Sequence, residues 1–211
     1  MKIPRLVALI VIAAGLNSCV SPYYGTARIE EGHSLSIGGA ASSHFLALGE
    51  YFGHNYGLRG DLEWRYGFNE RWQINAHFGA GLGIDGKYVE GVAPYPPFNT
   101  FIDPSLGLQY AFLKGPVIPA LRIEVCLTPG FIAPFPAPTL LLGFGNPEWL
   151  TFGSRVKLPH AVESFVSVHP DNNISIFAGI DWLSSLDKDF PLIGAAGISY
   201  NFRIGRKNEN D

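Results

Sequence analysis

The chain has 211 residues, of which 47% are hydrophobic and 16% charged, and its formal net charge is −3. This length suits one domain, and a slightly acidic chain without a basic stripe argues against nucleic acid as a partner. Its two cysteines, Cys19 and Cys126, exclude a disulfide framework. With 25 glycines, 16 prolines and few strong helix formers, the composition predicts many strands and turns.

Residues 1–18 have the order of parts of an export signal. Lys2 and Arg5 provide a positive start, and the apolar run that follows is too short to span a bilayer as a permanent helix. The ending Leu16-Asn17-Ser18-Cys19 resembles a bacterial lipoprotein signal peptide. The resemblance implies cleavage before Cys19 and acylation of its thiol and new amino terminus, as with palmitate. Residues 19–32 are then a periplasmic tether. The alternative is an ordinary secretory signal with an incidental cysteine.

Strict alternation of polar with apolar or small residues begins at residue 58. The polar positions of the segment 58–66 are Arg59, Asp61, Glu63 and Arg65. Because successive side chains of a strand point to opposite faces, this pattern predicts a strand and not a helix. A turn at 67–71 and a second alternating segment at 72–81 complete a predicted hairpin.

The same alternation returns further along the chain. It predicts strands at 102–112, 117–127, 150–158, 174–182 and 192–202. Weaker candidates lie at 33–41, 138–144 and 161–168. Because Pro119 cannot donate a ladder hydrogen bond, we expect a bulge or a late start in its strand. About ten strands (8–12) are expected, many near the length of about 9 to 11 residues that crosses a hydrocarbon core.

The connections between the predicted strands alternate in length. The longer ones are 42–55, 83–101, 128–137 and 183–191, and the shorter ones are 67–71, 113–116, 145–148 and 169–173. Only the connection at 159–160 breaks the alternation. Short turns at one end and longer loops at the other are typical of transmembrane β-barrels.

Two segments carry a resemblance to a known class of protein. The hairpin turn from Trp64 to Trp72 and the last strand from Ile198 to Phe202 resemble those of small bacterial outer-membrane β-barrel proteins, over residues 33–203. The resemblance implies an all-β, closed antiparallel transmembrane barrel with meander topology in the outer membrane of a Gram-negative bacterium. It implies membrane lipid and the outer-membrane assembly machinery as partners. Both termini, with the polar tail 204–211, would lie in the periplasm. Phe202 departs from the family pattern, because more residues follow it.

Charged residues oppose the apolar ones on the predicted strands. Those assigned to the barrel interior, with nearly balanced signs, are Arg59, Asp61, Glu63, Arg65, Asp103, Arg122, Glu124, Arg155, Lys157, Glu163 and Asp181. Because side chains can fill a barrel of about 8 to 10 strands, we interpret them as a paired, hydrogen-bonded lumen network. The alternatives are a selective pore lining and the solvated face of a periplasmic barrel. An interfacial girdle is predicted from the aromatic residues near the short turns, Trp64, Tyr66, Trp72, Tyr110, Phe112, Tyr200 and Phe202.

No motif in the sequence indicates a cofactor, a metal site or a catalytic residue. The glycine-rich run 79–83 is not followed by the helical pattern that a dinucleotide site needs, and the histidines lack metal-ligand spacing. One alternative is a hydrolase at the outer rim, formed by His44, Glu50 and His54 with Ser42 or Ser43.

These patterns predict a lipidated outer-membrane β-barrel that is not an enzyme. Its role would be structural or one of surface interaction through loops 42–55, 83–101 and 128–137, or that of a narrow pore. The sequence does not indicate an external partner. A second hypothesis is a lipid-tethered periplasmic barrel, similar to a lipocalin, that binds a small apolar ligand. It predicts the reverse polarity, with apolar residues inside and charges outside.

Overall fold

The computed structural model describes residues 22–46, 56–84, 98–126, 135–157, 161–183 and 192–204. These residues form the strands β1 (Gly32–Leu46), β2 (Tyr56–Gly67), β3 (Trp72–Ile84), β4 (Phe98–Ala111), β5 (Val117–Cys126), β6 (Phe135–Gly145), β7 (Glu148–Lys157), β8 (Ala161–Val168), β9 (Ile174–Leu183) and β10 (Leu192–Ile204). Each strand pairs antiparallel with the next, and β1 pairs with β10. The predicted closed antiparallel barrel with meander topology is therefore confirmed. Within the described ranges, no helix is long and apolar enough to cross a membrane.

Burial follows the alternation of the sequence. Along β2, inward residues such as Asp61 are buried, whereas outward ones such as Leu62 are exposed. The three weaker candidates are the strands β1, β6 and β8. The sequence of β6 does not alternate because Leu141 faces the interior while Leu140 and Leu142 face outward, so apolar residues occupy both faces of this strand.

β5 runs through Pro119 without the bulge or late start expected there, so that expectation is wrong. The strand begins at Val117, and its register with β6 is continuous, with Pro119 opposite Leu142. The Pro119 carbonyl accepts a hydrogen bond of 2.9 Å from Phe112 N. These two residues are one position beyond the last pair in the register of β4 with β5. In an antiparallel strand, the N–H and the C=O of one residue point toward the same neighbouring strand. The side of Pro119 that lacks an N–H therefore faces β4, at the place where the β4–β5 ladder ends.

The outside of the barrel carries a belt of large apolar side chains. They include Leu62, Phe78, Leu106, Ile123, Leu140, Phe152, Ile176 and Ile198. Aromatic rings gather at one end of the barrel, which we call the short-turn end because it carries the turns 68–71, 112–116, 146–147 and 169–173. There the ring centroids of Trp72 and Tyr110 lie 4.6 Å apart, and those of Tyr200 and Phe202 lie 4.8 Å apart.

The segment before β1 lies inside the barrel, and we call its residues 22–31 the plug segment. Its almost completely buried side chains are those of Tyr23, Tyr24, Ala27 and Ile29. Gly32, with a φ of 91° that glycine adopts without steric strain, joins it to β1. The prediction of a periplasmic tether over 19–32 is thus corrected for the described residues. The reason is physical: the barrel interior buries aromatic and aliphatic side chains that a free tether would leave in water.

Candidate functional site: the polar interior and its plug segment

A ladder of ion pairs crosses the interior between β2, β5, β7 and β8. Arg122 lies at its centre, with Nη1 2.6 Å from Glu63 Oε1 and Nη2 2.6 Å from Glu124 Oε1. Arg155 continues the ladder, with Nη2 3.1 Å from Glu124 Oε2 and Nη1 3.3 Å from Glu163 Oε2. All five side chains are buried. Because a buried charge is tolerated only when it is paired, the alternation of guanidinium and carboxylate stabilises each member.

A second group of charges surrounds Asp61 on β2. Arg59 Nε donates to Asp61 Oδ1 at 2.9 Å, and His77 Nε2 lies 3.0 Å from the same oxygen. Arg59 also reaches Asp103 on β4 at 3.3 Å. Gly79 lies opposite Asp61 on β3, and a Cβ at this position would collide with the Arg59 guanidinium. One glycine of the run 79–83 therefore makes room for a buried cation.

Arg65 and Asp181 also lie in the interior, and each has different neighbours. Arg65 Nη2 donates to Ser36 Oγ at 2.5 Å and to Asn201 Oδ1 at 3.2 Å. Asp181 is completely buried on β9, in register with Glu163 on β8. Ten of the eleven residues assigned to the interior from the sequence lie there in the structure, and the side chain of Lys157 lies outside the described part. Cys19, the predicted lipidation site, lies outside the described residues, as does the signal peptide at 1–18.

Side chains of the barrel wall hold the plug segment through its backbone. The Glu148 carboxylate accepts hydrogen bonds from two consecutive N–H groups, that of Ala27 at 2.9 Å and that of Arg28 at 2.7 Å. Gln109 Nε2 donates to the carbonyls of Thr26 and Ala27 at 3.0 and 3.2 Å. These contacts satisfy backbone groups in a segment that belongs to no strand ladder.

Tyr23 connects the plug segment to β8 and to the ion-pair ladder. Its carbonyl accepts a hydrogen bond of 2.5 Å from Ser167 Oγ. Its ring lies 5.0 Å from that of Phe165, centroid to centroid, and the Arg122 guanidinium carbon lies 5.1 Å from the ring centroid. The ring therefore covers the central arginine of the ladder on its face, in a cation–π arrangement.

Tyr24 makes the corresponding contacts with β9 and β1. Its carbonyl accepts a hydrogen bond of 3.0 Å from Ser175 Oγ, and its ring packs edge-on against Phe177 at 6.1 Å. The ring lies over Gly38, where an added Cβ would be 2.6 Å from a ring carbon. Since such a contact is too short for a real Cβ, only glycine at this position permits the close approach of the ring to the wall.

A buried hydrogen-bond chain lies beside the plug segment at the short-turn end. Thr151 Oγ1 donates to Glu148 Oε1 at 2.5 Å, and His169 Nε2 lies 3.0 Å from Thr151 Oγ1. His169 Nδ1 lies 2.8 Å from Ser175 Oγ. Burial, and next the charge of Arg65, lowers the pKa of His169 to about 4, so its imidazole is neutral at pH 7. Both hydroxyls already bind Glu148 or the plug segment, so the chain supports the plug rather than a nucleophilic reaction.

Most of the residues that suggested a rim hydrolase fall outside the described residues or side chains, so the structure does not place them against this interior site. The side chain of His44, and all of Glu50 and His54, lie outside the part of the chain that the structure describes. In the described part, no three His, Cys, Asp or Glu side chains are grouped so that they could hold a metal ion.

The strand patterns do not reveal the plug segment, the residues that bind it (Gln109, Glu148, Ser167 and Ser175) or His169 beside them. One signal in the sequence does point to it. Phe165 and Phe177 occupy inward positions in a mostly polar interior, and a buried aromatic ring needs apolar surroundings. Tyr23 and Tyr24, adjacent residues shortly before the first strand, provide them.

The fold and the interior define a closed ten-stranded β-barrel with an apolar exterior, a charged interior and an internal plug segment. No protein-family model and no curated protein matches the chain. Among solved structures, the chain is similar to Ail, the attachment invasion locus protein of Yersinia pestis, at 18% identity and a TM-score of 0.37, covering 82% of this chain and 100% of that chain.

Two further structures are similar to a comparable degree. One is Neisserial surface protein A, at 16% identity and a TM-score of 0.37, covering 82% of this chain and 98% of that chain. The other is the N-terminal β-barrel domain of Pseudomonas aeruginosa OprF, at 14% identity and a TM-score of 0.33, covering 82% and 100%. Because these identities and TM-scores are low, the similarity does not support a function for this chain. A function has to be argued from the chain's own residues.

Proposed function

We propose that this chain is a lipidated outer-membrane β-barrel with a structural or surface-interaction role and no enzymatic activity. The observation that carries the proposal is the polarity of the barrel, whose large apolar side chains face outward and whose charges face inward. In water this arrangement would expose the apolar belt, which is unfavourable. In a bilayer the belt meets hydrocarbon, and a closed sheet leaves no edge of unpaired backbone groups in lipid.

Strand length supports insertion into a bilayer. β2 has 12 residues and β3 has 13. At a rise of about 3.3 Å per residue and a tilt of about 40°, such a strand spans roughly 30 Å, which matches a hydrocarbon core. The outward girdle of aromatic rings at the short-turn end would lie at one interface.

The two alternatives are less well supported. A ligand-binding periplasmic barrel predicts apolar residues inside and charges outside, and the described strands have the opposite polarity. For a rim hydrolase, the described interior offers the hydrogen-bond chain around His169, whose hydroxyls are already engaged. The length of the loops between the strands supports a surface role, because binding residues are concentrated on loops that a rigid scaffold positions.

The orientation we propose places the short-turn end in the periplasm, because short turns of such barrels lie there. At that end the plug segment meets β10, with Arg203 Nη2 2.6 Å from Glu30 Oε1. Cys19 precedes Tyr23 by four residues, a reach of at most about 14 Å. A lipid on Cys19 would therefore be held close to the barrel at the periplasmic leaflet, as a second attachment to the membrane.

Membrane fractionation tests the barrel. We expect the protein to resist carbonate extraction, to show a heat-shifted band on a gel, and to have its Trp72 fluorescence quenched by brominated lipid. A protein that is released by carbonate and shows no heat shift would contradict the proposal.

Acyl labelling of a Cys19→Ala variant tests lipidation separately. We expect the label to disappear and sorting or assembly to be impaired, while any folded barrel stays in the membrane because its belt is unchanged. A label that persists in this variant would exclude Cys19 as the modified residue.

A further inference from the structure

We propose that the plug segment is a removable gate, and that its withdrawal opens a cation-selective path through the barrel. The inference rests on the proposed insertion into a membrane and goes beyond it by assigning a conduction function. It is argued from how the plug segment is held, where it can bend, and which charges it covers.

The plug segment can leave without breaking the barrel. The wall holds its backbone with the side chains of Glu148, Gln109, Ser167 and Ser175. Arg28 donates hydrogen bonds to two carbonyls at the short-turn end, at 2.8 Å to Gly115 and 3.0 Å to Gly145. By contrast, the strand ladders, including the pairing of β1 with β10 that closes the sheet, do not involve the plug segment.

The junction between the plug segment and β1 can act as a hinge. Gly32 has a φ of 91°, and nothing lies within 4 Å of the position that a Cβ would occupy there. The backbone at this position is therefore free of packing constraints. The neighbouring Glu30–Arg203 pair lies at the partly exposed rim, where an ion pair adds little stability. Movement at this junction displaces the whole plug segment.

The charges that the plug segment covers favour cations. The plug segment carries one cationic side chain, that of Arg28, while its carboxylates Glu30 and Glu31 are exposed at the end next to Gly32. Among the described side chains, the interior carries the carboxylates of Asp61, Glu63, Asp103, Glu124, Glu148, Glu163 and Asp181. The guanidinium groups that face them are those of Arg59, Arg65, Arg122, Arg155 and, at the rim, Arg203. In the described part of the interior, this acidic excess favours cations over anions, because a narrow lumen of low dielectric strengthens the effect of its charges.

The groups that the plug segment would uncover are ones that water or a cation can bind. Glu148 loses two N–H donors when the plug leaves, and its carboxylate then faces the short-turn opening. Gln109, Ser167 and Ser175 lose their backbone carbonyl partners at the same time. A carboxylate among amide and hydroxyl oxygens provides the oxygen ligands that hard cations prefer.

Conductance across planar bilayers in a KCl gradient tests the gate with the full-length protein and three variants. The first variant lacks residues 22–29, and the second is Tyr23→Ser with Tyr24→Ser, which keeps the chain length and loosens the docking of the rings. The third, Glu70→Gln, changes an exposed turn residue and serves as the matched control. We expect at least roughly tenfold more open-channel current from the first two, with a cation-selective reversal potential, and no change in the control.

A synthetic peptide of residues 22–31, added to the deletion variant, should reduce the current again. In the deletion background, Glu148→Gln should lower the preference for cations. Block by the peptide together with a lower cation preference in Glu148→Gln indicates a gated path lined by carboxylates. A barrel damaged by the deletion would conduct without showing either effect.

Heat-shifted bands and carbonate resistance are recorded for every sample. If the full-length protein does not insert, the proposed function fails, and the gate with it. If all forms insert but the deletion and tyrosine variants conduct no more than the full-length protein, or prefer anions, the gate is wrong while the membrane barrel stands. If neither variant can fold, the plug segment is an obligatory core element and not a gate.

Discussion

Glu148 and Arg28 lie 120 residues apart in the chain, and Glu148 Oε2 accepts a hydrogen bond of 2.7 Å from the backbone N–H of Arg28. The other carboxylate oxygen accepts one from Ala27. Gly143 leaves space for this arrangement, because a Cβ there would lie 2.5 Å from the carboxylate. A single charged side chain on β7 thus holds two consecutive residues of the plug segment, and charge-assisted hydrogen bonds of this kind are the stronger ones.

Replacing Glu148 by glutamine should release the plug segment. The amide offers one acceptor instead of two and turns its NH₂ toward an N–H donor, which removes about 1.5 to 3 kcal/mol of docking free energy. Limited trypsin digestion of the solubilised protein measures this, since cleavage after Arg28 requires an undocked segment. We expect cleavage at Arg28 to be faster by about tenfold or more, by the usual relation of about 1.4 kcal/mol per factor of ten.

The control for this experiment is Glu70→Gln. Glu70 is an acidic residue that pairs with Lys114 on the exposed turns, whereas Glu148 is buried and binds the backbone of the plug segment. Its replacement should leave the cleavage rate unchanged. Equal rates for Glu148→Gln and Glu70→Gln would show that the carboxylate of Glu148 does not hold the segment.

Replacing Arg122 by methionine should destabilise the barrel strongly. It leaves the buried carboxylates of Glu63 and Glu124 without their shared partner, and breaking a buried pair in this way costs about 3 to 5 kcal/mol. The midpoint of urea unfolding in lipid vesicles gives the free energy. The matched variant Arg203→Met breaks a rim pair and should cost at most about 1 kcal/mol. Similar losses in the two variants would mean that the ladder contributes no special stability.

Two leucines test the membrane environment. Leu140 on β6 and Leu113 in the turn 112–116 are similarly exposed, at 66% and 60%. In a bilayer, Leu140→Arg places a charge among lipid tails and should cost about 2 to 4 kcal/mol, whereas Leu113→Arg lies near the interface and should cost about 0 to 1 kcal/mol. Folding yield and unfolding midpoint in vesicles report the difference. Equal, small effects are the result expected of a water-soluble barrel.

His169 should make stability depend on pH. Its pKa falls from 6.5 to about 4 in the folded barrel, so the unfolded chain takes up a proton first as the pH decreases. The contribution of the neutral imidazole is complete above pH 6.5 and is lost as the pH falls toward 4. His169→Gln should flatten the stability curve in this window. A curve that is identical for the protein and the variant would exclude His169 as the sensitive group.

The alternation in 58–66 was enough to place four charged side chains inside the barrel, because the period of two is a local property of an extended chain. Prediction from the sequence is less accurate for strands whose alternation of polar and apolar residues is less regular. β6 has leucines on both faces, and β5 continues through Pro119 because the β4–β5 ladder happens to end there. Neither outcome can be derived from neighbouring residues alone, since both depend on which strand lies alongside.

The sequence by itself determined the strands, their antiparallel order and the faces of their side chains, since these follow from the period of the chain and from short connections. Only the tertiary structure decided which charges meet and what fills the interior. Arg122 pairs with Glu63, 59 residues away, because closure of the sheet makes β2 and β5 line the same narrow space. The plug segment docks there for the same reason: its partners stand on β4, β7, β8 and β9, and they form one site only after the barrel has closed.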